Sequence, residues 1–287
     1  ASLGKFGSIS IVGWLFTATG ALILAKIFSN FSKIVKGKSG GPYLYSKVVF
    51  GDFIGFLVAW GYWISCWVNN AAIAVAIVSA LSFFIPELVT NSFYSTLMGL
   101  SFIWFFTYTS SRGIKSSGNI QILTTIAKLI PLFLIILFGF LVFDFEIFPE
   151  FNLTNQNDFE ILPIVAVMTL YAFLGLECAS IPAENIENPE KTIPKATMAG
   201  TLISTLIYIL STIVLFGIIP AENLINSPAP FAEAGEIIGG KYFGYLISAG
   251  AAISAIGALN GWILITSYMP MTMANDRLFP KVFAKKN

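Results

Sequence analysis

An acidic side chain lies inside one of the longest apolar stretches of this chain. Glu177 belongs to the run from Ile161 to Pro182, which is long enough to cross a bilayer. A carboxylate at the centre of a lipid-facing helix costs about 2.5–3.5 kcal/mol on insertion scales. We therefore expect Glu177 to face protein or water and to act as a gate or a substrate-coupled acid. The alternative is a carboxylate that only pairs with a neighbouring helix.

Lys128 is the basic counterpart of Glu177. It is the ninth residue of another apolar segment, which begins at about Ile120. At a rise of about 1.5 Å per residue, Lys128 lies roughly 13 Å deep, close to the bilayer midplane. A lysine near an interface can extend its ammonium to water, but from this depth its stem covers only part of the distance. We predict a fixed or titratable cation inside the membrane, with snorkelling as the alternative.

Polar and aromatic residues mark one face of an early apolar segment. Tyr62, Cys66 and Asn70 recur at four-residue spacing, which places them on one side of a helix. An Asn70 side chain exposed to lipid would be costly, so we expect it to hydrogen-bond another helix or a ligand. The neighbouring tryptophans either pack or provide flat walls for a cation.

A helix break is predicted near Glu177. Gly175 lies two residues before it, and Tyr171 lies close by. Discontinuous helices with accessible backbone dipoles are how many secondary transporters bind zwitterions. A later segment pairs Gly261 with Trp262 and repeats the theme of a small residue beside an aromatic one. Together these features indicate a solute-binding site.

Seven apolar segments position these residues. The chain has 287 residues, of which 56% are hydrophobic and 11% charged, whereas soluble domains have about 25% charged residues. This composition predicts an all-α polytopic membrane protein with a single transmembrane domain over residues 1–287. The predicted spans are 9–28, 53–84, 93–109, 120–143, 161–181, 196–219 and 242–274. Short helices that lie at the membrane surface or plug a vestibule are expected within 42–51 and after Pro228.

The charged residues between the spans alternate in sign. One set of loops is basic: Lys26, Lys33, Lys36, Lys38, Lys47, Arg112, Lys115, Lys191, Lys195, Arg277, Lys281, Lys285 and Lys286. The other set is acidic: Glu87, Asp144, Glu146, Glu150, Asp158, Glu222, Glu233 and Glu236. Lysine and arginine in short loops indicate the cytoplasm. We predict an external N-terminus and a cytoplasmic C-terminus.

Several classes of function are disfavoured. A net charge of +1 gives no signal for nucleic acid. Cys66 and Cys178 lack metal-ligand spacing and are interpreted as reduced packing residues. The absence of histidine argues against histidine-based serine proteases and the usual zinc proteases. We therefore expect no enzymatic activity, no cofactor and no metal site.

The run from Thr169 to Ile193, TLYAFLGLECASIPAENIENPEKTI, closely resembles the sixth helix and following loop of the amino acid–polyamine–organocation transporters. The motif Glu187-Asn188-Pro189 lies within it. Further segments resemble the basic amino acid and polyamine antiporter branch: 40–51, 62–72, 227–232, 257–265 and 273–285. The resemblance implies a LeuT-like fold of two inverted five-helix repeats plus two helices. The seven spans would then be helices two to eight. The chain is thus expected to be a truncated or split member without the first and last helices.

The resemblance also implies roles for individual residues. Tyr171 matches an aromatic gate that is usually tryptophan in the arginine and polyamine members. Lys128 is similar to a helix-five lysine whose ammonium occupies a sodium-like site in sodium-independent relatives, which implies ion coupling. Residues that match substrate-binding or gating positions are Tyr62, Cys66, Asn70, Ile73, Tyr171, Glu177 and Trp262.

The function implied is exchange of cationic amino acids, of the arginine, ornithine, lysine or polyamine type, by alternating access in the cell inner membrane. The expected partners are the substrate and the lipid bilayer, with a homodimer or separately encoded helices as further candidates. The alternative is an inactive transporter fragment or one half of a split transporter.

Overall fold

The computed structural model describes residues 2–35, 38–82, 84–112, 114–227 and 229–284, and for residues 89 and 114–117 it describes only the backbone. Four residues used in the charge and loop predictions lie outside these ranges: Lys36, Pro228, Lys285 and Lys286. The side chain of Lys115 is also outside the described part of the structure. The described residues contain ten α-helices and no strand. The helices are α1 (Ile9–Ile34), α2 (Pro42–Phe50), α3 (Asp52–Ser82), α4 (Glu87–Thr90), α5 (Ser92–Ser111), α6 (Ile114–Gly139), α7 (Asp158–Leu170), α8 (Pro189–Phe216), α9 (Ala221–Asn226) and α10 (Pro230–Asn275).

Six helical stretches in the described part of the chain are long and apolar enough to cross a membrane. They are Ile9–Ile34, Asp52–Ser82, Gly118–Gly139, Asp158–Ser180, Pro189–Phe216 and Pro230–Asn275. The coarse prediction of an all-helical polytopic membrane protein is therefore confirmed. The remaining predicted span, 93–109, lies within α5. This 20-residue helix is rich in serine, threonine and tyrosine, several of which return hydrogen bonds to their own backbone.

The predicted boundaries were less accurate. The span 120–143 extends past the end of α6 at Gly139. The short helix expected after Pro228 and the span 242–274 are both contained in α10, which is kinked between them at Gly239 and Gly240. Gly240 has φ +74°, a conformation that glycine adopts without a steric penalty, so the kink is encoded by the glycine pair.

The chain divides into two compact units, each with its own apolar core. The first unit comprises Ala1–Leu24, Lys128–Leu176 and Ala199–Ala251, and the second comprises Ala25–Ala127, Glu177–Met198 and Ala252–Asn287. In the first unit, Ile135, Phe216 and Ile247 belong to one buried cluster. A side chain at Gly250 would collide with the ring of Pro131, so the proline of α6 is accommodated by a glycine of α10.

The second unit has two buried clusters. Tyr43, Ile181 and Met269 belong to one of them, which joins α2, the segment after α7 and α10. Ile77, Phe106 and Leu259 belong to the other, which joins α3, α5 and α10. Both clusters hold residues distant in sequence, and they fix the elements that carry most of the predicted site residues.

Candidate functional site

The helix that begins at Asp158 breaks inside the fifth predicted span. Regular α-helix ends at Leu170, one turn of 3-10 helix covers Tyr171–Phe173, and Leu174 is extended with ψ 136°. Gly175 then has φ +102°, which side-chain-bearing residues rarely adopt. The predicted span 161–181 overlaps the candidate span Asp158–Ser180, and the break expected at Gly175 is present within it. Such a break interrupts the regular backbone hydrogen bonds of the helix within an apolar segment.

Tyr62 of α3 contacts the segment that follows the break. Its hydroxyl donates a 2.7 Å hydrogen bond to Oε1 of Glu177 and lies 3.5 Å from the sulfur of Cys178. The Cys178 thiol also points to the same carboxylate oxygen, at 3.9 Å. All three side chains are partly buried. The structure thus brings together two of the predicted site residues, Tyr62 and Glu177, and adds Cys178 to them.

Asn70 lies two turns further along α3 and is almost fully buried, with 6% of its surface exposed. Its Nδ2 donates to the hydroxyl of Thr266 at 3.0 Å, and that hydroxyl donates to the backbone carbonyl of Trp262 at 2.7 Å. Asn70 Oδ1 is also buried and has no hydrogen-bond partner among the described residues. The amide therefore joins α3 to α10 through its nitrogen and keeps one buried acceptor, which normally costs stability.

Cys66 and Ile73 occupy more apolar surroundings. Cys66 is completely buried. Ile73 packs against the cluster that contains Ile77, Phe106 and Leu259. The position of Ile73 is thus explained by packing, and its predicted contact with substrate stays a prediction.

Tyr171 and Lys128 belong to the first unit. Tyr171 is 63% exposed and lines a cavity of about 430 Å³ together with Leu3, Met168, Thr212 and other residues. Lys128 is half-buried and lies ten residues after Gly118 and eleven before Gly139, the ends of its apolar stretch. Among the described residues, no carboxylate forms an ion pair with its ammonium. Its position is central in this stretch, and its depth in the bilayer stays a prediction.

The glycine motif before α2 holds the segment after the break. Gly40 donates its backbone N–H to the carbonyl of Ile181 at 3.0 Å, and Gly41 has φ +49°. A Cβ on Gly41 would lie 2.7 Å from the hydroxyl oxygen of Ser180. The hydroxyl of Ser39 accepts a hydrogen bond from the backbone N–H of Glu184 at 3.1 Å. The resemblance identified this motif by its letters, and the structure shows that the glycines permit close approach to residues 180–184.

A charged cluster that the sequence analysis missed joins α2 to the end of α10. The ammonium of Lys47 lies 2.8 Å from a carboxylate oxygen of Asp276 and 3.4 Å from one of Asp52. The hydroxyl of the buried Tyr43 donates a 2.5 Å hydrogen bond to Asp276. We call these four residues the Lys47 cluster. From the sequence, Lys47 indicated only the orientation of the chain, because nothing in the spacing pairs it with Asp276, which lies 229 positions away.

The Lys47 cluster shifts the pKa of three of its members. Burial works to raise the pKa of Asp276, but hydrogen bonds from Lys47 and Tyr43 and the charge of Lys47 outweigh burial, so the pKa is lowered. Burial works to lower the pKa of Lys47, but its bonds to Asp276 and Asp52 outweigh burial and raise the pKa. Burial and the bond to Asp276 raise the pKa of Tyr43. Asp276 and Lys47 are therefore both charged over the neutral range.

Two further polar contacts tie α10 to other elements of the second unit. Nδ2 of the fully buried Asn260 donates to Oε1 of Gln121 in α6 at 3.2 Å. Asn185 donates to the hydroxyl of Tyr268 at 2.9 Å. The contact of Asn260 was not predicted from the sequence, although a buried amide in an apolar span is itself a signal for a polar partner.

A multi-pass helical protein with a broken helix and a hydrogen-bonded acid beside the break has the architecture of a membrane transporter. The family model described as amino acid permease matches residues 1–287, so this chain belongs to that family. Curated relatives support the branch of basic amino acid and polyamine antiporters that the sequence resemblance predicted.

Three curated relatives illustrate this branch. The chain is 32% identical over 284 residues to the arginine/ornithine antiporter of Pseudomonas aeruginosa, covering 96% of this chain and 59% of the relative. It is 34% identical over 284 residues to the putrescine transporter PotE of Haemophilus influenzae, covering 99% and 65%. It is 29% identical over 286 residues to the cadaverine/lysine antiporter of Escherichia coli strain K12, covering 99% and 64%. The chain thus spans between 59% and 65% of the length of these relatives.

Proposed function

We propose that this protein exchanges cationic amino acids or polyamines across the cell inner membrane by alternating access. The observation that carries the proposal is the hydrogen bond between Tyr62 and Glu177, two residues after a helix break. The three relatives are named for arginine and ornithine, putrescine, and cadaverine and lysine, all of which carry ammonium or guanidinium groups. A carboxylate inside a membrane segment is a suitable partner for such groups.

The architecture that we propose is a single transporter domain over residues 1–287, with seven spans and part of a LeuT-like inverted repeat. Its N-terminus would be external and its C-terminus cytoplasmic, because the lysine-rich loops mark the cytoplasmic side. In this arrangement α5 crosses the membrane in addition to the six candidate stretches, which gives seven spans. The hydroxyl groups of Thr96, Ser101 and Thr107 bond to carbonyls of their own helix, which lowers the cost of inserting them into the membrane.

Glu177 is the residue that senses the charge of the substrate in this proposal. In this structure its carboxylate accepts a hydrogen bond from the Tyr62 hydroxyl. An arriving ammonium or guanidinium group would compete for that carboxylate and release Tyr62, so substrate charge would be coupled to movement of the segment after the break. Asn70 would accept a further substrate N–H at its unpartnered Oδ1. Cys66, Ile73 and Trp262 would form the less polar walls.

Tyr171 and Lys128 complete the proposal through the family resemblance. Tyr171 lines the cavity of the first unit and would act as an aromatic gate there. Lys128 would provide a fixed positive charge in place of a sodium ion, since its ammonium has no carboxylate partner among the described residues. No covalent chemistry is required at either residue.

The experiment is counterflow in proteoliposomes. Vesicles are loaded with unlabelled arginine, ornithine, lysine, putrescine or cadaverine, and uptake of labelled arginine or putrescine is followed. We expect uptake to be stimulated by an internal cationic substrate and to persist without sodium. Glu177→Gln should abolish the stimulation, and protein-free vesicles provide the background. Equal uptake with and without internal substrate would refute exchange, and sodium-dependent uptake would refute the role of Lys128.

A further inference from the structure

The helix α10 is followed by an arginine in a backbone conformation that favours glycine. Leu278 donates its backbone N–H to the carbonyl of Met273 at 2.9 Å, and Arg277 donates its own to the carbonyl of Ala274 at 3.1 Å. These two bonds form the Schellman motif, in which glycine is the usual residue at the position of Arg277. Arg277 has φ +62° and is exposed. The turn therefore carries a long side chain at a steric cost that glycine would avoid.

Positive charge accumulates in the segment that follows α10. The adjacent acid, Asp276, pairs with Lys47 and accepts a hydrogen bond from Tyr43. Among the described residues, neither Arg277 nor Lys281 belongs to an ion pair, and both are exposed. The sequence from 277 to 287 contains four basic residues and no acid: Arg277, Lys281, Lys285 and Lys286. Such a run beside a membrane span is typical of contact with anionic lipid.

Aromatic rings lie beside these basic residues. The centroid of the Phe279 ring is 6.0 Å from that of Trp60, 5.8 Å from that of Trp63 and 5.0 Å from that of Phe283. Trp60 and Phe283 nevertheless stay 39% and 42% exposed. Exposed rings next to lysine and arginine are typical of the headgroup level of a membrane. We call four exposed residues of this region the basic aromatic patch: Trp60, Arg277, Lys281 and Phe283.

We propose that the basic aromatic patch binds the headgroup of an anionic phospholipid. The guanidinium group of Arg277 would hold the phosphate oxygens, because its planar donors match the geometry of phosphate. The exposed rings would contact the glycerol and the first acyl carbons, so the site takes a lipid and not a free anion. The inference goes beyond transport and rests only on the proposed orientation, in which this segment meets the anionic cytoplasmic leaflet.

The helix dipole alone does not explain Arg277. A cation near the C-terminus of a helix is favourable throughout the last turn. Lys47 already lies 2.8 Å from a carboxylate oxygen of Asp276 at this end of α10. A basic side chain at a neighbouring position without positive φ would gain the same interaction at no steric cost. An external anion gives a reason for a cation at this position of the turn.

The test titrates the purified chain in detergent with phosphatidylglycerol and follows the thermal unfolding midpoint. We expect this lipid to raise the midpoint. Phosphatidylcholine and inorganic phosphate at the same concentrations should not, because the first has no net charge and the second has no apolar part. In Arg277→Gly the midpoint without lipid should be unchanged or higher, because the steric cost is gone. Half of the lipid-induced shift should then need about fivefold more phosphatidylglycerol, the factor for one basic residue near an anionic surface.

Three further variants separate the patch from total charge. Lys281→Gln should weaken binding about as much as Arg277→Gly, and Arg277→Lys should keep most of the affinity because the charge stays. Lys191→Gln, at an exposed lysine of another basic loop, is the matched control and should bind like the wild type.

Four results would overturn the proposal. They are an equal loss of affinity in the Lys191→Gln control, an equal rise of the midpoint with phosphatidylcholine, a rise with inorganic phosphate as large as that with the lipid, and a lower midpoint of Arg277→Gly without lipid. Binding is measured without transport, so a chain that showed no exchange would refute the proposed function and leave the result on lipid binding intact.

Discussion

The Lys47 cluster allows a quantitative prediction about stability. In Asp276→Asn the side chain keeps an oxygen that can accept from Tyr43 but loses its charge. A hydrogen bond to a charged group contributes about 1.5–3 kcal/mol and a neutral one about 1 kcal/mol. The ion pair with Lys47 is half-exposed, so it adds only about 0.2–1 kcal/mol. We therefore expect Asp276→Asn to destabilise the protein by about 1–3 kcal/mol.

The cost of Asp276→Asn should depend on pH. The pKa of Asp276 is lowered in the folded protein, so its contribution is present above about pH 4, the unfolded value, and is lost as pH falls through the lower folded pKa. The pKa of Lys47 is raised, so its contribution is present below about pH 10.4 and is lost as pH rises through the higher folded pKa. The variant should therefore differ most from the wild type between these limits.

The assay is the thermal unfolding midpoint in detergent, from pH 3 to pH 8, with Glu146→Gln as an exposed-acid control. Combining Asp276→Asn with Tyr43→Phe completes a double-mutant cycle, for which we expect a coupling of about 1 kcal/mol because the two side chains share a hydrogen bond. Fully additive effects would show that the short contact contributes nothing. A deficit that grew below pH 4 would contradict the assigned direction of the pKa shift.

Three further predictions concern the break and the site around it. Gly175→Ala should lower the free energy of unfolding by about 1–3 kcal/mol, because the φ of Gly175 is +102°. Gly200→Ala, at an open helical position, should be neutral or stabilising, and thermal unfolding midpoints compare the two variants. Tyr62→Phe removes the donor to Glu177 and should weaken substrate discrimination without abolishing insertion, which uptake competition between arginine and a neutral amino acid would detect. Asn70→Ala should change stability by less than about 1 kcal/mol, since one lost hydrogen bond is offset by removal of a buried unpaired acceptor, yet raise KM for arginine several-fold.

The break near Glu177 shows what an apolar sequence can predict. A glycine beside a charge inside a span was sufficient to place the irregularity, because neither residue suits a regular lipid-facing helix. The extent of the irregular segment was not predictable in the same way. Residues 176–186 consist of turns and short 3-10 helices, although their letters still read as apolar until Pro182. What holds them in place is the contact of Ser39, Gly40 and Gly41 with residues 180–184, and that contact is tertiary.

The kinked helix α10 shows a second limit of predicting helix ends from hydropathy. Hydropathy separated the short segment after Pro228 from the later span, because Glu233, Glu236 and Lys241 interrupt the apolar pattern. The backbone nevertheless remains helical on both sides of Gly239–Gly240. Polarity reports where a chain meets water, whereas helix propensity and capping decide where a helix ends. The end of an apolar segment and the end of a helix therefore coincide only where the chain turns at the membrane interface.

Each charged residue at a span end indicated the orientation of the chain by its own sign. The ion pairs between such residues were therefore not predicted. The sign of Lys47 is informative by itself, since basic loops indicate the cytoplasmic side. Its partner Asp276 is the acid in a loop that otherwise carries Arg277 and Lys281, so it departs from the local charge pattern. A partly buried acid that departs from the pattern in a basic loop favours an ion pair with a nearby cation. That reasoning would have predicted a salt bridge without identifying which lysine forms it.

Asn70 illustrates why a residue can have two roles that sequence reasoning treats as alternatives. From the sequence, its amide was expected to bond either another helix or a ligand. The folded structure assigns the two ends of the amide differently, with Nδ2 bonded to Thr266 and Oδ1 buried without a partner among the described residues. The first contact fixes the orientation of the side chain, and the fixed orientation is what makes the second atom a usable acceptor. A rigid, unpaired acceptor favours a substrate that donates hydrogen bonds, because binding then removes a cost already present in the empty protein.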